Sequence, residues 1–492
     1  MRTRPVNAKT LLLILFAAAQ PAAAQKDVAF PSTVYASRRA RLMETIGPGV
    51  VVLLGNDLIG AGAAGRQDPN FWYLTGVESP WAAMIIVRSR DGAVHETLFL
   101  PTREQFAGAQ YPIDDNRFRD APWNRSTRLH PGPEAVRRTG VADVYPVDAF
   151  AAQLDSAAVE GDLWMLEDHG TPWAPPGVAR PRTRRQQLQA SIADRLPGRT
   201  VRDITPAIER MRLVKDAHEI AALRRAADIS ARSLAEVMKY ARDGMNDLEV
   251  EGYLEYLWKR DGSPRPAFDP IVMSGPSALA LYTIRSERYH PTDRIMRNGE
   301  LLYIDYGAAE VDMYAADVCR TFPVSGRFTP EQRRYYEIVL EAMDAALREI
   351  RPGAMMIDVI RAAAGVFRDH GLEPNEDIGR MGADRVWGIM PSPTYWLARN
   401  GELTDYSGAR GTGVRDLGHH VGLEALDSRD YSMPLSAGMV FTVEPKLYIP
   451  ELGVAIMIED MILVTEDGYE NLSAAAPRRV EDIERIMASS QR

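Results

Sequence analysis

Apolar and polar positions follow three regimes along this chain. Residues 11–19, "LLLILFAAA", are uniformly apolar. The runs "GVVVLLG" (49–55), "AAMIIVRS" (82–89) and "HETLFLP" (95–101) are short, β-branched and bounded by glycine, proline and charge, which predicts strands. Helical candidates lie between and after them, the last being "RQQLQASIADRL" beyond a proline-rich segment at 172–181. Together these predict a mixed α/β domain over residues 25–204. Near Thr205 the period changes. From 204 to 241 apolar residues recur at three and four, an amphipathic helix with Asp216 and Glu219 suited to its start. A second helix is expected over 246–262, with Asn246 as N-cap and Gly262 as stop.

Strands dominate afterwards: "LLYIDYG" (301–307), "YAADVCRTF" (314–322), "VFTVEPKLYI" (440–449) and "VAIMIEDMILVT" (454–465). Helices at 329–350 and 356–371 separate the two strand pairs. Two helix groups, each feeding a strand pair, predict an α+β domain over 205–492 built as a duplicated unit.

Four acids interrupt these apolar strands. Asp305 ends "LLYID", Asp317 breaks "YAADVCRTF", Glu444 sits in "VFTVEP" and Glu459 in "VAIMIED". Hairpin-length spacings allow neighbouring strands to bring each pair together. Four converging carboxylates repel, and several stay protonated unless a cation neutralises them. Divalent ions resolve this, and oxygen-rich ligation with one imidazole suits manganese, with cobalt, zinc or iron as alternatives. Two such ions about 3.5–4 Å apart activate water and polarise a carbonyl, so the implied reaction is hydrolysis. Glu310, Asp312 and Asp460 are read instead as turn or ion-pair residues.

Bulk properties narrow the partners. Arg2, Arg4 and Lys9 precede the first apolar run and "PAAAQ" follows it, a signal-peptide pattern with cleavage near Ala24 and export to the periplasm or medium. The run is short for a membrane span, so no stable anchor is expected. The net charge of −9 becomes about −12 without residues 1–24, which disfavours nucleic acid. Cys319 is the single cysteine, so no intrachain disulfide forms and stability comes from packing.

At this point the chain resembles the pita-bread metallopeptidases, in the aminopeptidase P and prolidase branch. The carrying motifs are "YIDYG", "DVCRTFPVSGRF", "GHHVGLE", "GMVFTVEPKLYI" and "IEDMILVT", with "MRLVKDAHEI" resembling the entry helix. "GRQDPNFWYLTGVESPWAAMIIV" is similar to the branch's amino-terminal domain. The resemblance implies a pita-bread catalytic domain around a curved antiparallel sheet, a peptide substrate cut after the residue preceding proline, and a homodimer or homotetramer. It also implies five ligands for two divalent ions: Asp305, Asp317, His419, Glu444 and Glu459. In that scheme Asp317 and Glu459 bridge the ions, a bridging hydroxide attacks the carbonyl and Glu444 accepts the proton. His419 rather than His420 is chosen because the family ligand lies three residues before the motif glycine, here Gly422. Successive side chains of an extended segment also point opposite ways.

The chain departs from the branch pattern at several positions. Two further histidines usually flank the ligand, and here those positions are Arg415 and Leu426. His290 is the candidate for a third, upstream histidine, and Met457 replaces an arginine two residues before Glu459. Arg415 is therefore assigned the missing positive charge near the site. The alternative is another C–N hydrolase on the same scaffold, acting on a small amide or ring. Trp387, Tyr395, Trp396 and Tyr406 lie in a long segment expected to wall the substrate pocket.

Overall fold

The computed structural model describes residues 30–56, 66–105, 129–157, 161–168, 174–175, 177–268, 270–280, 293–306, 309–372, 388–389, 417–427, 433–449 and 452–489. The first apolar runs become Gly49–Leu54 (β1), Ala83–Arg88 (β2) and Val94–Leu100 (β3), joined by Asp143–Pro146 (β4), Asp162–Met165 (β5) and Val201–Asp203 (β6). They form one mixed sheet in the order β4-β3-β2-β1-β5-β6, with β1, β2 and β3 antiparallel and the other pairings parallel. Side chains alternate across β1. Val50 and Val52 enter a local core with Phe99, Leu154 and Ile192. Val51 and Leu53 face the large core that continues through the rest of the chain.

The helix Ala217–Tyr240 starts at a capping box of Asp216 and Glu219, and Asp247–Asp261 runs from Asn246 to a left-handed Gly262, as the residue pattern predicts. Beyond them lie Ile271–Ser274 (β7), Leu301–Tyr306 (β8), Glu310–Val311 (β9), Tyr314–Ala315 (β10) and Val318–Pro323 (β11). The later strands are Gly388–Ile389 (β12), Val440–Val443 (β13), Lys446–Ile449 (β14), Val454–Met457 (β15), Asp460–Val464 (β16) and Tyr469–Asn471 (β17). All pairings among these are antiparallel. The protein is thus α+β, with a mixed-sheet unit ahead of the antiparallel one.

Three of the strands expected to be continuous are broken. Ala316 and Asp317 separate β10 from β11, Glu444 and Pro445 separate β13 from β14, and Ile458 and Glu459 separate β15 from β16. β13 pairs with β16 while β14 pairs with β15, so one long strand pair passes between two sheets. Pro445 has no N–H for a ladder, which suits it to a break.

Buried cations pin these breaks. Arg320 on β11 uses all five N–H donors: Nη2 meets Asp460 at 2.5 Å and Ala476 O at 2.9 Å, Nη1 meets Cys319 O and Glu459 O, and Nε meets Pro477 O. The amino-terminal unit is tied on by further ion pairs. Arg38 contacts Asp216 at 2.8 Å and Glu219 at 3.1 Å, and Arg66 contacts Glu310 at 2.8 Å. Arg212 bonds Asn70 Oδ1 at 2.6 Å, Glu424 at 2.9 Å and Asp427, which Lys215 meets from another side at 3.2 Å. Burial pushes the Asp427 carboxyl up, but Arg212 and then Lys215 outweigh it and hold the group down at about 2.

Replacing Arg320 with Met strips Asp460 Oδ1 of its buried guanidinium and leaves only Arg478, 3.3 Å from Oδ2; it should lower the unfolding free energy by about 3–5 kcal/mol in urea titrations. Asp427 has a depressed pKa, so its contribution is complete above the ordinary 3.8 and is lost as pH falls through about 2. Wild-type stability should therefore decline on acidification from about pH 5 to about pH 2, and Asp427→Asn should be less stable at neutral pH with a shallower decline. Equal slopes for the two proteins would exclude that ion pair as a source of acid sensitivity.

Candidate metal centre

The segment 417–427 lies antiparallel along β13. Glu444 N–H donates to Leu417 O at 2.8 Å, Thr442 N–H to His419 O at 2.8 Å, and Val421 N–H to Val440 O at 3.1 Å. His419 and Glu444 consequently share a face, while His420, which bridges to Phe441, takes the other. A Cβ on Gly418 would clash with the Thr442 carbonyl, and one on Gly422 with the Asp427 carboxylate. Glycine is needed at both because the backbone and the ion pair approach so closely.

The two histidines occupy different environments. His420 is buried edge-on to the Phe441 ring, and burial, then Lys215, push it down to about 3, so it stays neutral. His419 Nδ1 lies 3.3 Å from the His420 carbonyl; donation there fixes the tautomer and leaves the Nε2 lone pair facing the acids. Nε2 is 3.3 Å from Asp317 Oδ2 and 3.7 Å from Glu444 Oε1. Burial disfavours the imidazolium, yet Asp317 and Glu444 raise His419 above its ordinary value.

Asp305 and Asp317 reach the same region from β8 and the break before β11. Asp305 is in register with Cys319, so Asp317, two residues earlier, falls on the same face. Glu459 is held by its N–H on Cys319 O at 3.1 Å. Ligand atoms of Asp317, His419 and Glu459 all lie within 4.8 Å of one another, a group that could hold a metal ion. All five residues assigned by the family resemblance are buried.

The donor set suits a cation. Burial pushes the Glu459 carboxyl well above the usual range, and Asp317, Glu444 and Asp305 add to that in decreasing order. Its Oε2 has no hydrogen-bond partner among the described residues. A divalent ion supplies both the missing partner and the missing charge. Four carboxylates and one imidazole match hard or borderline divalent metals better than a thiolate-rich structural zinc site.

Other assignments fall into place or outside the described residues. Asp460 pairs with Arg320, and Glu310 with Arg66 and Arg265, so both are ion-pair residues, while Asp312 is a left-handed turn residue. His290, Arg415, Trp387, Tyr395, Trp396 and Tyr406 lie outside the described residues. Leu426 is exposed on the histidine segment. Sequence reasoning passed over Lys446, which is buried with its Nζ 2.6 Å from Glu444 Oε2. A lysine directly after "VEP" and inside an apolar strand was the signal available.

Comparison with known proteins places the chain in a family. Residues 221–466 match the model of metallopeptidase family M24, and residues 35–164 that of the aminopeptidase P N-terminal domain. The chain is 31% identical to Xaa-Pro aminopeptidase of Escherichia coli (strain K12), over 87% of this chain and 90% of that protein. It is 26% identical to Xaa-Pro aminopeptidase 3 of Mus musculus, over 86% of this chain and 76% of the relative. Among solved structures, a putative aminopeptidase P from Bacillus anthracis superposes with a TM-score of 0.75 at 25% identity, covering 94% of this chain and 99% of the other. Escherichia coli aminopeptidase P with the inhibitor Pro-Leu gives 0.74 at 27% identity, with coverage of 94% and 99%. The chain therefore belongs to metallopeptidase family M24, in its aminopeptidase P branch, and is a metal-dependent exopeptidase.

Proposed function

We propose that this protein is an exported aminopeptidase that removes the residue preceding proline from the N-terminus of peptides, with two divalent ions, manganese first among them. The observation that carries the metal reading is the buried convergence of Asp305, Asp317, Glu444 and Glu459 around His419, with a Glu459 oxygen lacking any partner among the described residues. Charge supports two ions rather than one: four carboxylates balance two divalent cations, whereas one leaves excess negative charge in an apolar interior. The proline preference is supported by the Xaa-Pro aminopeptidases that the chain resembles along most of its length.

When bound, the ions would supply an ionised water at neutral pH and polarise the scissile carbonyl. Asp305, Asp317, His419, Glu444 and Glu459 would hold them. Glu444 would take up the proton released during attack. His290 and Arg415 would contact the substrate or the developing negative charge, Arg415 as a fixed cation. The amino-terminal domain spans residues 25–204 in this reading and the catalytic domain 205–492, after removal of the leader near Ala24. In the described residues no helix is long and apolar enough to cross a membrane.

The test is to load the mature protein with manganese, count bound ions, and assay Xaa-Pro dipeptides, longer Xaa-Pro peptides and peptides without proline. Cleavage of the longer Xaa-Pro peptides is expected. Activity on dipeptides alone would identify a prolidase, and two bound ions without peptide cleavage would favour a C–N hydrolase with altered substrate, consistent with Leu426. Glu444→Gln should lower kcat by about 10²–10⁴-fold. Arg415→Ala should cut turnover while metal content is kept; unchanged kinetics would remove Arg415 from the site.

A further inference from the structure

Lys446 is the first residue of β14, two positions after Glu444, and its ladder partner on β15 is Met457, two positions before Glu459. Extending the same register by two residues sets Glu444 opposite Glu459, so the ammonium stands on the face from which both acids project. It is buried, and so is the acid it meets: Nζ lies 2.6 Å from Glu444 Oε2. The other oxygen, Oε1, accepts from Thr442 Oγ1 at 3.3 Å and lies 3.7 Å from His419 Nε2. The two oxygens of Glu444 are thus allotted to different partners. Met457 carries no charge, and Lys446 supplies a cation at the same point of the ladder from the neighbouring strand.

We propose that Lys446 is a positioning residue of the metal centre: its ammonium holds Oε2 of Glu444 so that only Oε1 is offered to an ion beside Asp317, His419 and Glu459. Without the ammonium, both oxygens of Glu444 would be open to the ion. The inference rests on Glu444 being a metal-binding residue, as proposed above.

The test compares wild-type protein with K446M, K446Q and K446R, each checked for folding by circular dichroism and thermal melting. Methionine has nearly the length of lysine and would face Met457, and glutamine provides a second neutral side chain should K446M fold poorly. Calorimetric titration with Mn²⁺ and the visible absorption of Co²⁺-loaded protein read the centre without turnover. Loss of the positive charge should tighten Mn²⁺ binding about tenfold. The Co²⁺ bands should weaken as coordination number rises, kcat should fall with KM little changed, and K446R should restore the wild-type pattern. A lysine that merely packs would alter melting alone. Unchanged affinity and spectrum in folded neutral variants, or K446R behaving like K446M, would overturn the role of Lys446 and leave the metal reading intact. Wild-type protein that binds no ion would overturn both.

Discussion

Carboxylates that meet inside an apolar interior must be matched by positive charge, and this requirement organises the catalytic half of the molecule. Asp305, Asp317, Glu444 and Glu459 are all buried, and at Glu459 burial first and then the neighbouring acids push the carboxyl well above the usual range. Three of them have a local neighbour of opposite character or a fixed backbone. Lys446 meets Glu444, His419 meets Asp317, and Arg320 grips the carbonyl of Glu459 while its own charge is met by Asp460. The remaining negative charge is the site's affinity for metal.

The same logic explains how the amino-terminal unit matters to a site built wholly from the other half. Arg66 reaches the Leu423 carbonyl and Glu310, and Arg212, from the helix Thr205–Leu213, reaches Asn70, Glu424 and Asp427. Those contacts hold the carboxyl-terminal end of the segment carrying His419, whose Leu417, Val421 and Leu423 pack into the core. Charge that would be costly if left alone in the interior instead fixes the imidazole against β13.

Much of the fold was legible from local rules. The capping boxes at Asp216 and Asn246, the stop at Gly262 and the β-branched runs of β1 and β2 each depend on neighbouring residues alone. Parity let only one of His419 and His420 face the acids, the family motif chose His419, and the same parity is seen along β13. The strand breaks were not legible, since "VFTVEPKLYI" and "VAIMIEDMILVT" have apolar character throughout and differ from continuous strands only in the sheet that each half pairs with.

The sequence by itself determined which chemistry was available: one imidazole, four acids in apolar surroundings, and an order of motifs shared with the aminopeptidase P branch. Side-chain identity and local periodicity carry that much. Only the tertiary structure decided which charges meet. Lys446 and Met457 are eleven residues apart, Arg320 and Asp460 are separated by 140, and nothing local ties either pair. The reading from residues alone placed a compensating cation at Arg415, which lies outside the described residues; within them Lys446 contacts Glu444. Cross-strand register sets Lys446 opposite Met457, and register is a property of the folded sheets rather than of either strand.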